Sequence, residues 1–158
     1  MRCSSDGVSV PVSMATRLEM MRRAVAGELP PPPIATLIGF RMTAIEPGQS
    51  RFELDADARH HNPMGTLHGG VLCDIADVAM GSAYASMLDE GESFTTLELK
   101  INFVRPVRAA HLVAVGSVLQ RGRTVGVADC TITDDQGRLI AKATSTCLTL
   151  RGEQAQGR

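Results

Sequence analysis

The sequence predicts an α+β domain in which one antiparallel sheet lies against one buried helix. Three observations lead there. Between Gly69 and about Leu88 the apolar residues Leu72, Ile75, Ala76, Ala79 and Ala83 recur at three- and four-residue steps, the period of a helix face. On both sides of that stretch apolar residues recur at every second position, the period of a strand with one dry face. Two strands precede the helix and a run of about four follows it, an order that suits one sheet carrying one helix on one face.

The elements follow in order. Residues 1–13 (MRCSSDGVSVPVS) are small, polar and unpatterned and read as a disordered extension, with Met14 as an alternative start. Residues 14–33 read as an N-terminal helix and a proline-rich linker. Leu18, Met20, Met21 and Val25 form the helix's apolar side between Thr16 and about Gly27, and Arg17, Arg22 and Arg23 form its wet side. Pro30 to Pro33 end it, because prolines remove backbone donors and fix an extended path. Residues 34–150 form the main domain. Ile34 to Phe40 predict a helical turn leading into a first strand, and Phe52, Leu54 and Ala56 then alternate with Arg51, Glu53, Asp55 and Asp57. Residues 58–67, with Asn-Pro and Gly, predict a loop.

The helix that follows is apolar on most sides, because Val71, Val78 and Met80 extend its stripe, so it should be buried on most sides. Its alanines and glycines keep it slim enough for a sheet to wrap closely. After Gly91, Leu97, Leu99, Ile101 and Phe103 alternate with Thr96, Glu98, Lys100 and Asn102. Strands over 113–119 and 125–133 meet at a Gly122-centred hairpin, and Asp134-Asp135-Gln136-Gly137 turns into a last strand over 139–150. Residues 151–158 read as a polar tail.

Composition removes several function classes. Sixteen basic and seventeen acidic residues give a net charge of −1, so no global field attracts nucleic acid or an anionic membrane. Four Phe, one Tyr and no Trp leave few surfaces on which bases could stack. Cys3, Cys73, Cys130 and Cys147 lack C-x-x-C spacing and a paired histidine run, so no metal site is expected. Cys73 and Cys147 sit in apolar patterns, as small core residues of a reducing compartment do. No apolar run is long enough for a membrane span and the N-terminus lacks a signal-peptide core, so the expected location is the cytoplasm. His60, His61 and His111 show no ligand spacing and are expected near the surface.

The chemistry-bearing stretch runs from His61 to Asp77 (HNPMGTLHGGVLCDIAD). A helix start leaves N–H groups without internal partners and carries the positive end of the macrodipole. Gly69 and Gly70 let another group approach that backbone. The helix start can therefore stabilise a developing oxyanion, and Asp74 and Asp77 place carboxylates further along the same helix. Asp77 stands among apolar neighbours rather than in a polar run. Asp74 is a surface charge, a modifier of Asp77, or a partner of the helix dipole; the dipole reading is preferred. His68 reads as a hydrogen-bonded anchor before it reads as an acid or base.

These motifs resemble the PaaI-like hotdog thioesterases of the 4HBT superfamily, in which a curved antiparallel sheet wraps one long helix. Asn62, His68-Gly69-Gly70 and Ile75-Ala76-Asp77 stand as that family's pattern does. Thr96-Leu-Glu-Leu-Lys-Ile-Asn-Phe-Val-Arg-Pro106 resembles its strand after the helix, and Arg121-Gly-Arg-Thr124 its later hairpin. The resemblance spans roughly residues 35–150. It implies hydrolysis of acyl-CoA thioesters, with no cofactor beyond the CoA of the substrate. Asp77 would be general base or nucleophile. Gly69 would offer its N–H to the thioester carbonyl, with Gly70 beside it on the substrate. Asn62 would hold water or thioester, and Thr96 would position water. Arg121 and Arg123 are either solubilising hairpin charges or partners for the CoA phosphates.

Gly69 and Asp77 lie eight residues apart, roughly 12 Å along one straight helix, too far for one carboxylate to serve both ends. Two antiparallel helices from two subunits would bring them together. The expected assembly is therefore a homodimer with shared sites, and the resemblance extends this to a homotetramer. The alternative function is a non-catalytic acyl-CoA binder or sensor on the same fold. A dehydratase is disfavoured, because such enzymes pair a histidine with the acid and His68 lies nine residues from Asp77.

Overall fold

A computed structural model describes residues 16–156; the expected extension over 1–13 and Cys3 lie outside them. Helix α1 (Arg17–Val25) and the short α2 (Pro33–Ile38) precede strands β1 (Phe40–Glu46) and β2 (Gln49–Ala56). The long helix α3 (Gly69–Ala85) follows, and then β3 (Ser93–Phe103), β4 (Ala110–Arg121), β5 (Val125–Asp134) and β6 (Leu139–Leu150). All pairings are antiparallel, and the sheet order is β1-β2-β4-β5-β6-β3. This is the hotdog arrangement, with α3 laid across the sheet.

Helix and sheet approach closely because small residues face each other. A Cβ on Gly116 of β4 would stand 2.4 Å from the Ala79 backbone, so only glycine fits. The Ser50 hydroxyl of β2 donates to the Ala79 carbonyl at 2.7 Å, pinning the helix to the sheet. Leu72, Ile75, Ala76, Ala79, Met80, Ala83 and Tyr84 are buried, and Tyr84 OH meets the Thr149 hydroxyl at 2.7 Å. One strip of α3 stays open: Gly70, Asp74 and Asp77 are exposed and Cys73 is half-buried. The helix expected to be buried on most sides is thus covered by its own chain except along the strip that carries its charges.

Two expectations are corrected here. Helix α1 ends through Ala26 and Gly27, whose φ of +75° suits glycine, and not through the prolines. Pro33 instead occupies the first turn of α2, where a missing N–H costs nothing. His60 is buried rather than superficial: its Nδ1 accepts the Asp57 N–H at 3.1 Å and its Nε2 meets the Ile38 carbonyl at 2.8 Å. In the tail, Arg151 pairs with Glu92 at 2.5 Å and Gly152–Ala155 form a 3-10 turn.

The largest departure lies in β3, an edge strand. Between Thr96 and Glu98 its register with β6 shifts, leaving Leu97 unpaired in a bulge. Before the bulge, Phe94 and Thr96 face α3; after it, Leu99, Ile101 and Phe103 do. Unbroken alternation would have put Thr96 on the wet face with Glu98 and Lys100. A bulge re-aims side chains in this way.

Glu92 ties the far end of the domain together. It is only 9% exposed, its carboxylate takes the guanidinium groups of Arg121 and Arg151 and the Asp89 N–H, and its carbonyl accepts from Arg17 of α1. Burial alone pushes the carboxyl up, but the Asp89 hydrogen bond and the two arginines outweigh it and hold the acid below its ordinary 4.5. A lowered folded-state value means stability that is fully present above the unfolded value and lost as pH falls through the folded one. Glu92→Gln should therefore cost roughly 1–3 kcal/mol at neutral pH, and the gap from wild type should close as pH drops below 4.5. Urea denaturation at neutral and acid pH measures both.

Candidate active site

The start of α3 is held from three directions. Leu67 N–H donates to the Val107 carbonyl at 2.7 Å and His68 N–H to the His60 carbonyl at 2.8 Å. His68 is the N-cap, and its Nδ1 accepts the Gly70 N–H at 2.9 Å. His68 thus caps the helix, and the Gly70 N–H is already engaged by it. The Gly69 N–H has no acceptor among the described residues and is the donor left for an incoming oxygen. The Phe103 ring lies over Gly69 so closely that a Cβ there would sit 2.9 Å from it.

Asn62 shapes the loop before the helix. Its Oδ1 accepts the N–H groups of Met64 and Thr66 at 2.9 and 3.2 Å, and its Nδ2 donates to the Thr66 hydroxyl at 3.0 Å. One Nδ2 proton remains for another acceptor. Asn62 and Gly69 line a cavity of about 390 Å³ together with Leu72, Phe103 and Arg105. Phe103 and Arg105 were missed as site residues. The Phe-Val-Arg-Pro run at and just beyond the end of β3 was their signal in the sequence, but nothing in strand periodicity returns it to the start of α3.

Asp77 lies in a different cavity, of about 530 Å³, with Arg17, Met21, Val78, Phe94 and Thr96. Thr96 Oγ1 donates to Asp77 Oδ1 at 3.1 Å, leaving Oδ2 free of a described partner. Asp77 is exposed within its own chain, so the apolar enclosure expected from its sequence neighbours is not provided by one subunit. Helix α1 passes over this cavity, and Arg17, expected on the wet side, reaches the Glu92 carbonyl at 2.8 Å.

Asp74 is not a dipole partner. The helix begins at Gly69 and no acid lies in its first turn, whereas the dipole's influence falls off within that turn. Partial desolvation raises the Asp74 carboxyl above its ordinary value, and the charge of Asp77 adds to the rise.

The hairpin arginines part company. Arg121 is held by Glu92 and Asp89, with its Nε buried and without a partner among the described residues. Arg123 is exposed at the turn and pairs with no carboxylate among the described residues.

The structure therefore brings Asn62 to Gly69 and Thr96 to Asp77 but does not bring the two pairs into one cavity. The sequence profile of the Thioesterase superfamily matches residues 64–141, which include the start of α3, Asp77 and Thr96. The proofreading thioesterase EntH of Klebsiella pneumoniae is 31% identical over 101 residues, covering 64% of this chain and 74% of that one. The chain belongs to the thioesterase superfamily. The 1,4-dihydroxy-2-naphthoyl-CoA hydrolase of Listeria monocytogenes is 27% identical over 103 residues, 65% of this chain and 84% of its own. The PaaI protein from the E. coli phenylacetic acid degradation operon superposes with a TM-score of 0.74 over 83% of this chain and 94% of that one, at 23% identity, a likeness of fold alone. Membership supports thioester hydrolysis as the general activity of this thioesterase. Among the described residues no helix is long and apolar enough to cross a membrane.

Proposed function

We propose that this thioesterase hydrolyses acyl-CoA thioesters in a homodimer whose sites combine Asn62 and Gly69 of one subunit with Asp77 and Thr96 of the other. The observation that carries the reading is the division of these residues between two half-lined cavities on one chain. Two further features support a partner. The open strip of α3 carries Asp74 and Asp77, and β3 is a sheet edge with Leu97 and Phe103 more than half exposed. An unpaired edge and an exposed apolar surface both favour association.

In the composite site the thioester carbonyl takes the Gly69 N–H at the positive end of α3, and Asn62 uses its remaining Nδ2 proton on the carbonyl or the water. Thr96 fixes Asp77 by holding Oδ1, and Oδ2 removes a proton from the attacking water. The hydroxyl oxygen bonds to the carbonyl carbon and charge moves to the oxygen facing Gly69. Collapse of that oxyanion breaks the C–S bond, and the CoA thiolate leaves and takes up the proton held by Asp77. A thiolate leaves readily, so no separate acid is required. Arg123 is the candidate for the CoA phosphates; Arg121 would first have to leave Glu92. The naphthoyl-CoA hydrolase among the relatives supports CoA as the thiol carrier.

Release of free CoA from a panel of alkyl and aryl acyl-CoAs, followed with a thiol reagent, tests the activity. Turnover is expected on at least one class. Tight binding of CoA esters with no turnover on any of them would favour the non-catalytic binder.

A further inference from the structure

The Asp77 cavity does not end at Asp77. Val78 and Ser82, one turn apart on α3, line it and also line a second cavity of about 500 Å³. That second cavity lies between α1, the extended segment Pro30–Pro32, the start of α2, and strands β1 and β2. Its walls are mainly apolar, formed among others by Val25, Leu29, Pro31, Phe40 and Phe52, with the two rings in edge-to-face contact at 5.9 Å. The one cation among its described lining residues, Arg41, is already paired with Glu53 at 2.8 Å and Asp55 at 3.3 Å, so it offers nothing to a charged tail.

We propose that this second cavity is the acyl-chain pocket of the thioesterase and that it selects an unbranched aliphatic chain, with the Val78–Ser82 row as its throat. The assignment rests on the proposed hydrolysis at Asp77. An acyl group whose carbonyl carbon is attacked beside Asp77 reaches the second cavity along that shared row. A compact aryl group fills the space beside Asp77 and stops there; a flexible chain continues beneath α1 and the prolines. This gives α1 a role beyond packing, because it roofs both cavities although none of its own residues is buried.

Non-hydrolysable S-alkyl-CoA thioethers test the pocket without turnover. For wild type, calorimetric affinity should be nearly flat for the shortest chains and then rise about fourfold per methylene as the chain passes the throat, until the cavity is full. Ala24→Phe fills the cavity from α1 and Ser82→Phe closes the throat from α3. Both should abolish the rise with unchanged circular dichroism, and Ala24→Phe, which lies outside the Asp77 cavity, should also leave the S-ethyl-CoA affinity unchanged. Nuclear Overhauser contacts from a labelled dodecyl chain to the Phe40 and Phe52 rings provide a readout in wild type that needs neither variant. A flat wild-type series, an unaltered rise in both folded variants, or absence of those contacts would overturn the assignment. Hydrolysis of acetyl-CoA with a flat thioether series would remove the pocket and spare the catalytic reading. A steep series blocked by both variants, with no acyl-CoA hydrolysed, would do the reverse.

Discussion

Asp77→Asn is expected to lower kcat by roughly 10² to 10⁴, the usual contribution of a general base. The amide keeps the size of the carboxylate and its oxygen can still accept the Thr96 hydroxyl, now at 3.1 Å, but it cannot take a proton from water. Asp77 is exposed in its own chain and makes no contact on which the core depends, so circular dichroism and the denaturation midpoint should match wild type. KM should change little, because the loss falls on the transition state. Asp74→Asn is the control. It lies one turn away on the same open strip, yet no described hydroxyl orients it, and its effect should remain well under tenfold. Near wild-type turnover in Asp77→Asn would remove Asp77 from the mechanism and turn attention to Asp74.

Much of the fold and part of the site were legible in the sequence because their causes are local. The helical period from Leu72 to Ala83 and the glycine-flanked hairpins reflect which side of an element is dry, and one chain suffices for that. The start of α3 was legible for the same reason: His68, Gly69 and Gly70 are neighbours, and a cap is made by neighbours. What was not legible depends on register or on distant partners. Thr96 reaches Asp77 only because the bulge at Leu97 switches the face of β3, and nothing in the alternation Thr96-Leu97-Glu98-Leu99 announces an extra residue. Arg121 pairs with Glu92, far away in sequence, and its composition in a polar hairpin is the same whether it meets a carboxylate or a phosphate. His60 is polar in a loop, but two backbone groups satisfy its ring and permit its burial. Asp77 stands among apolar residues in sequence while its carboxylate remains uncovered, a mismatch that a second subunit would resolve.

That second subunit is the central claim, and subunit mixing measures it most directly. Asn62→Ala and Asp77→Asn homodimers should each be nearly inactive, since every composite site in them lacks one half. In a heterodimer, one site pairs intact Asn62 and Gly69 from the Asp77→Asn chain with intact Asp77 and Thr96 from the Asn62→Ala chain. The other site is doubly broken. Random exchange makes half the dimers mixed, and each mixed dimer has one working site in two, so activity should recover to about a quarter of wild type. Native mass spectrometry establishes that exchange has occurred. Recovery toward that level is the result the shared-site account predicts; complete exchange with no return of activity would contradict it.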